Sequence, residues 1–84
     1  MIKMQKYYVT NGEIKARVWY SAGQLMDGTF AVTLYAKDYS RNLGKIFGSK
    51  YINNSDSMSD YFDEGKVIIR KGDPLFEAAM ARAR

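Results

Sequence analysis

The sequence predicts a small α+β domain. Its antiparallel β-sheet comprises a three-stranded N-terminal meander plus a later strand, with two short helices packed on one face. Three observations lead there. Strand-like alternation dominates the first half of the chain, an Asn-Gly turn divides it, and helix start signals gather toward the C-terminus.

The Asn-Gly pair is Asn11-Gly12, between Tyr7-Tyr8-Val9-Thr10 and the run Glu13 to Tyr20. Both flanks are rich in β-branched and aromatic residues, so the pair predicts a two-residue type I′ hairpin turn. That turn would set Thr10 opposite Glu13, Val9 opposite Ile14 and Tyr8 opposite Lys15. Tyr7 would then face Ala16, and Lys6 would face Arg17. Directly opposed residues share a face of the sheet. Tyr7, Val9, Ile14, Ala16, Val18 and Tyr20 therefore form an apolar face, expected to be the core. Lys6, Tyr8, Lys15, Arg17 and Trp19 form a basic, aromatic one.

Residues 22–28 are expected to form a loop closed by Asp27-Gly28, with Leu25 and Met26 tucked back onto the core. Thr29 to Lys37 alternate as a third strand. Its inner set is Phe30, Val32, Leu34 and Ala36. Its outer set is Thr29, Ala31, Thr33, Tyr35 and Lys37. The stretch 38–54 admits two readings, a short strand around Lys45-Ile46-Phe47 or a loop that packs Leu43, Ile46 and Phe47. The polar cluster before Met58 starts a predicted helix over 58–64, with Gly65 as its terminating residue. Lys66 to Lys71 is the later strand. Asp73 as N-cap and Pro74 at the first helical position open a last helix, whose inner face is Leu75, Phe76, Ala79, Met80 and Ala83.

Composition narrows the chemistry. The chain has 84 residues, a length for one domain spanning 1–84. It holds no cysteine, so disulfides, thiolate metal sites and thiol nucleophiles are excluded. It holds no histidine, which removes the usual general base and the commonest zinc ligand. A non-enzymatic protein is the expectation, with no cofactor and no metal. No apolar run approaches the length of a membrane span and the N-terminus has no signal-like core, so a cytoplasmic protein is expected. The net charge of +4 suits an acidic protein surface or a nucleic acid.

The candidate site is the outer face of the sheet: Lys6, Tyr8, Lys15, Arg17, Trp19, Tyr35 and Lys37. Trp, Tyr and Arg are the residues that dominate protein interfaces. Cations interleaved with flat rings also suit single-stranded nucleic acid, by phosphate pairing and base stacking. Other clusters carry less. Asp56, Asp60, Asp63 and Glu64 are read as acids complementing a helix N-terminus rather than as a magnesium site. Glu13 and Asp27 are read as solvated turn residues, and residues 37–41 as a solvated connection. Gly44 and Gly48 lack the Lys-Ser/Thr ending of a phosphate-binding loop.

The expected function is a small protein-binding module. Standalone, non-catalytic chains of this size are common among phage and mobile-element products. An accessory or inhibitor of anti-defence type, docking a larger intracellular protein machine, is the reading adopted. A single-stranded nucleic-acid-binding protein is the alternative. A homodimer is compatible with a thin core and exposed strand edges.

Overall fold

A computed structural model describes residues 2–37, 42–48, 51 and 66–84. Its strands are β1 (Lys3–Gln5), β2 (Tyr8–Thr10), β3 (Lys15–Gln24), β4 (Phe30–Ala36) and β5 (Lys66–Arg70). Its helices are α1 (Asn42–Phe47) and α2 (Phe76–Ala83). The five strands form one antiparallel sheet in sequence order, β1-β2-β3-β4-β5. The expected antiparallel sheet with helices on one face is present, and the meander is longer than the sequence predicts. The added strand is β1, only three residues long and too short for an alternating pattern to mark.

The first hairpin turns at Lys6-Tyr7, pairing Gln5 with Tyr8 and Met4 with Val9. Tyr7 takes a φ of +80° there, the one described non-glycine residue with positive φ. This corrects the placement of Tyr7 and Lys6 inside a strand. It also takes Tyr7 off the core face, where the Asn-Gly register would put it.

The second turn is not type I′. That geometry needs positive φ at both central residues, and only Gly12 has it. Side-chain hydrogen bonds build a four-residue loop over 11–14 instead. Asn11 Oδ1 accepts from the N–H groups of Glu13 (2.9 Å) and Ile14 (3.0 Å). The Thr10 hydroxyl donates to the Ile14 carbonyl at 2.6 Å. Asn and Thr at such positions compete for backbone partners in this way. Thr10 consequently pairs with Lys15, Val9 with Ala16 and Tyr8 with Arg17. The slip from the expected register is two residues, so the paired residues of β2 and β3 keep their faces.

β3 is longer than expected. Ala22, Gly23 and Gln24 pair with Val32, Ala31 and Phe30, and the loop is confined to the tip. Leu25 closes that tip by donating to the Thr29 carbonyl at 2.7 Å. Met26 does not tuck back, because it sits at the end of the hairpin and is fully exposed.

One core lies on one face of the sheet. Val9, Val18, Val32, Leu34, Val67 and Ile69 are fully buried in it, with Leu43 from α1 and Ala79 from α2. Burying each Val, Leu or Ile side chain is worth about 1.5–3 kcal/mol. α1 lies where the sequence suggests a strand or loop. Leu43, Ile46 and Phe47 fall at helical spacing and reach the core, and Gly48 ends the helix with a φ of +91°. Gly44 inside the helix is what hides it from a propensity argument. The predicted helix over 58–64 lies outside the described residues, as does the acidic cluster Asp56, Asp60, Asp63 and Glu64.

α2 buries the face its periodicity predicts: Phe76 and Ala79 are buried, and Leu75, Met80 and Ala83 pack beside them. The expected cap is corrected: the helix begins at Phe76 with Leu75 at its N-cap and no side-chain cap bond, so Asp73 and Pro74 lie in the preceding turn, where Asp73 Oδ1 accepts from the Leu75 N–H at 2.9 Å. Arg82 does not simply complement the helix dipole. Its Nε donates to the Met4 carbonyl at 3.0 Å, tying α2 to the edge strand β1. Phe30, expected inside, is 39% exposed at the sheet end and meets Phe76 edge-to-face at 6.2 Å.

Candidate docking face

The second face of the sheet is built in rows across the strands. Lys3, Thr10 and Lys15 stand side by side, followed by Gln5, Tyr8 and Arg17. Lys37 extends that second row, its N–H donating to the Arg17 carbonyl at 2.9 Å. Trp19, Tyr35 and Lys66 form the next row. Farther along, Ala31, Thr33 and Ile68 are buried, so the large rings gather at one end of the face.

The register therefore brings together Tyr8, Lys15, Arg17, Trp19 and Tyr35, as the sequence predicts. Lys6 and Lys37 flank them from a turn and from the end of β4 rather than from within strands. Trp19 is 57% exposed, Tyr35 41% and Tyr8 38%. A fourth ring joins them. Tyr7, assigned by the sequence to the core, is 49% exposed in its turn. No turn-forming residue marks Lys6-Tyr7, so nothing in the sequence signals that Tyr7 leaves the strand.

Rings and cations are in direct register. Lys37 Nζ lies 5.1 Å from the centre of the Tyr7 ring and 5.4 Å from that of Trp19. Lys15 Nζ lies 5.5 Å from the Tyr8 ring, and Lys6 Nζ 5.7 Å from the Tyr7 ring. All fall within the roughly 6 Å range of cation–π attraction. Among the described residues of these rows the charged ones are Lys3, Lys15, Arg17, Lys37, Lys66 and, at the far end, Arg70, opposite Ala31. Arg17 and Lys37 stand opposite one another, an arrangement that is destabilising for like charges.

No family model, curated protein or solved structure matches this chain. The chemistry of the face is what bears on function.

The groups with displaced ionisation lie elsewhere. Burial pushes the Tyr20 phenol up to about 12, with the Arg82 charge opposing. Its hydroxyl reaches the Gln5 carbonyl at 3.0 Å and the Tyr8 carbonyl at 3.3 Å, stitching the first hairpin to β3. Hydrogen bonding from Thr29 holds the Asp27 carboxyl below its ordinary range, as suits a turn residue. Among the described residues no three Asp or Glu side chains converge on one point. Nor is any described helix long and apolar enough to cross a membrane.

Proposed function

We propose that this chain is a non-catalytic binding module that docks, through its cationic–aromatic sheet face, onto an acidic surface of a larger protein. It would act as an accessory or inhibitor by occupying that surface. The observation that supports this most is the seating of Lys6, Lys15 and Lys37 over the rings of Tyr7, Tyr8 and Trp19.

Those lysines occupy the ring faces on which bases would stack, which favours a protein partner over a single-stranded nucleic acid. An acidic surface needs no such displacement. It meets ammonium groups already held in place, so less side-chain freedom is lost on binding. It also brings negative charge to the place where Arg17 and Lys37 stand opposite one another on the sheet. A second copy of this chain does not suit the face, since it would set these cations against their own copies.

The test is a titration with poly-L-glutamate and, separately, with oligo-dT and oligo-U of matched charge, at low and near-physiological salt, followed by Trp19 fluorescence. The reading expects salt-graded binding of polyglutamate, tighter than either oligonucleotide. Tighter binding of the oligonucleotides with quenching of Trp19 would replace it with the stacking reading. Binding of neither would overturn the acidic-partner assignment.

A further inference from the structure

We infer that Lys37, held between the rings of Tyr7 and Trp19, is the anchor of the docking face and receives a carboxylate side chain of an acidic partner segment. This rests on the proposed function and narrows it to one contact.

Three independent features converge on Lys37. The first is its seating. Its ammonium lies against two rings at once, at 5.1 Å and 5.4 Å, whereas Lys6 and Lys15 each lie against one. Ring faces attract the charge but accept none of the N–H donors in the manner of a carboxylate. Among the described residues no carboxylate is paired with it. Lys37 is thus half-buried and positioned by two rings, with no ion-pair partner among the described residues.

The second is the backbone of Tyr7. Its φ of +80° is one that Gly or Asn adopts readily and a bulky aromatic does not. A tyrosine here works against the turn, and what it adds is the ring on Lys37. Strained residues of this kind concentrate at working sites.

The third is Arg17, directly opposite Lys37 across the β3–β4 ladder. One carboxylate entering between them would meet two cations. Interface anchors of this type combine Trp, Tyr and a cation in a small cluster surrounded by weaker contacts.

The experiment compares Lys37→Met, Tyr7→Gly, Tyr7→Phe and Lys3→Met with the wild type, by calorimetric titration with an oligoglutamate peptide. Thermal melts in the same buffer confirm folding. Lys37→Met and Tyr7→Gly are each expected to lose about tenfold or more in affinity. Tyr7→Phe keeps the ring and should keep the affinity. Lys3→Met removes the same charge from the same face, away from the rings, and should lose little. Equal losses for Lys37→Met and Lys3→Met would overturn the anchor while leaving the acidic docking face in place. Loss in Tyr7→Phe equal to that in Tyr7→Gly would also overturn it. If the wild type fails to bind the peptide, the docking reading itself falls and the anchor with it.

Discussion

The ammonium of Lys37 lies 5.4 Å from the centre of the Trp19 ring, and Trp19 in turn stands directly opposite Tyr35 on the neighbouring strand. The large apolar ring is thus kept on the solvent side of the sheet. It lies against a cation and across from another exposed ring, and it is not part of the core cluster.

That arrangement sets the effect of deleting it. Trp19→Ala loses one cross-strand pair and one cation–π contact, so its cost in urea unfolding is expected to stay near 1 kcal/mol. Leu34→Ala, at a fully buried position on the opposite face, is expected to cost about 2–5 kcal/mol. Comparable losses in the two variants would show that Trp19 belongs to a core.

The strain at Tyr7 can be isolated by comparing two variants that both lack the ring. Tyr7→Gly adopts the positive φ freely, while Tyr7→Ala does not. Tyr7→Gly is therefore expected to be more stable than Tyr7→Ala by about 1 kcal/mol, measured by chemical denaturation. The reverse order would mean that the turn does not hold its positive φ in solution.

The Asn11 loop offers a sharper check on register. In a type I′ turn, Gly at position 11 would be well tolerated. In the loop described here the Asn11 side chain accepts two backbone hydrogen bonds that Gly cannot replace. Asn11→Gly is expected to destabilise the fold by about 1 kcal/mol. A neutral or stabilising effect would favour the tighter turn.

Much of the face and all of its polarity were legible in the sequence. Strand periodicity assigns Val9, Ala16 and Val18 to one side and Tyr8, Arg17 and Trp19 to the other, and a two-residue slip preserves that assignment. The buried face of α2 was equally legible from the spacing of Phe76, Ala79, Met80 and Ala83, although the helix starts at Phe76 and not at Pro74. The loop at Asn11-Gly12 and the extension of β3 to Gln24 were not legible, and neither were β1, the turn at Tyr7 and α1. β1 is too short to show a pattern, and a tyrosine takes the place of the usual turn residue at position 7. α1 is six residues long with a glycine inside it, so tertiary burial of Leu43, Ile46 and Phe47 decides its form rather than intrinsic propensity.

Tyr20 should make stability sensitive to alkali. Its folded pKa of about 12 lies above the ordinary 10.0, because the buried phenol resists ionising. The folded state thus holds this proton more tightly than the unfolded one. The stabilisation is fully present below pH 10.0 and is lost as the pH rises from there through about 12. Tyr20→Phe should flatten that part of the pH profile. It should also lose about 1 kcal/mol at neutral pH, through the contacts to the Gln5 and Tyr8 carbonyls. An unchanged alkaline slope in Tyr20→Phe would assign the effect to another group.

The docking claim is tested most directly by amide chemical-shift mapping on the labelled protein as oligoglutamate is added at near-physiological salt. The account predicts that the shifts centre on Tyr7, Tyr8, Arg17, Trp19, Tyr35 and Lys37. Shifts centred instead on the C-terminal Arg82 and Arg84, or on the β3–β4 hairpin tip around Met26, would contradict it.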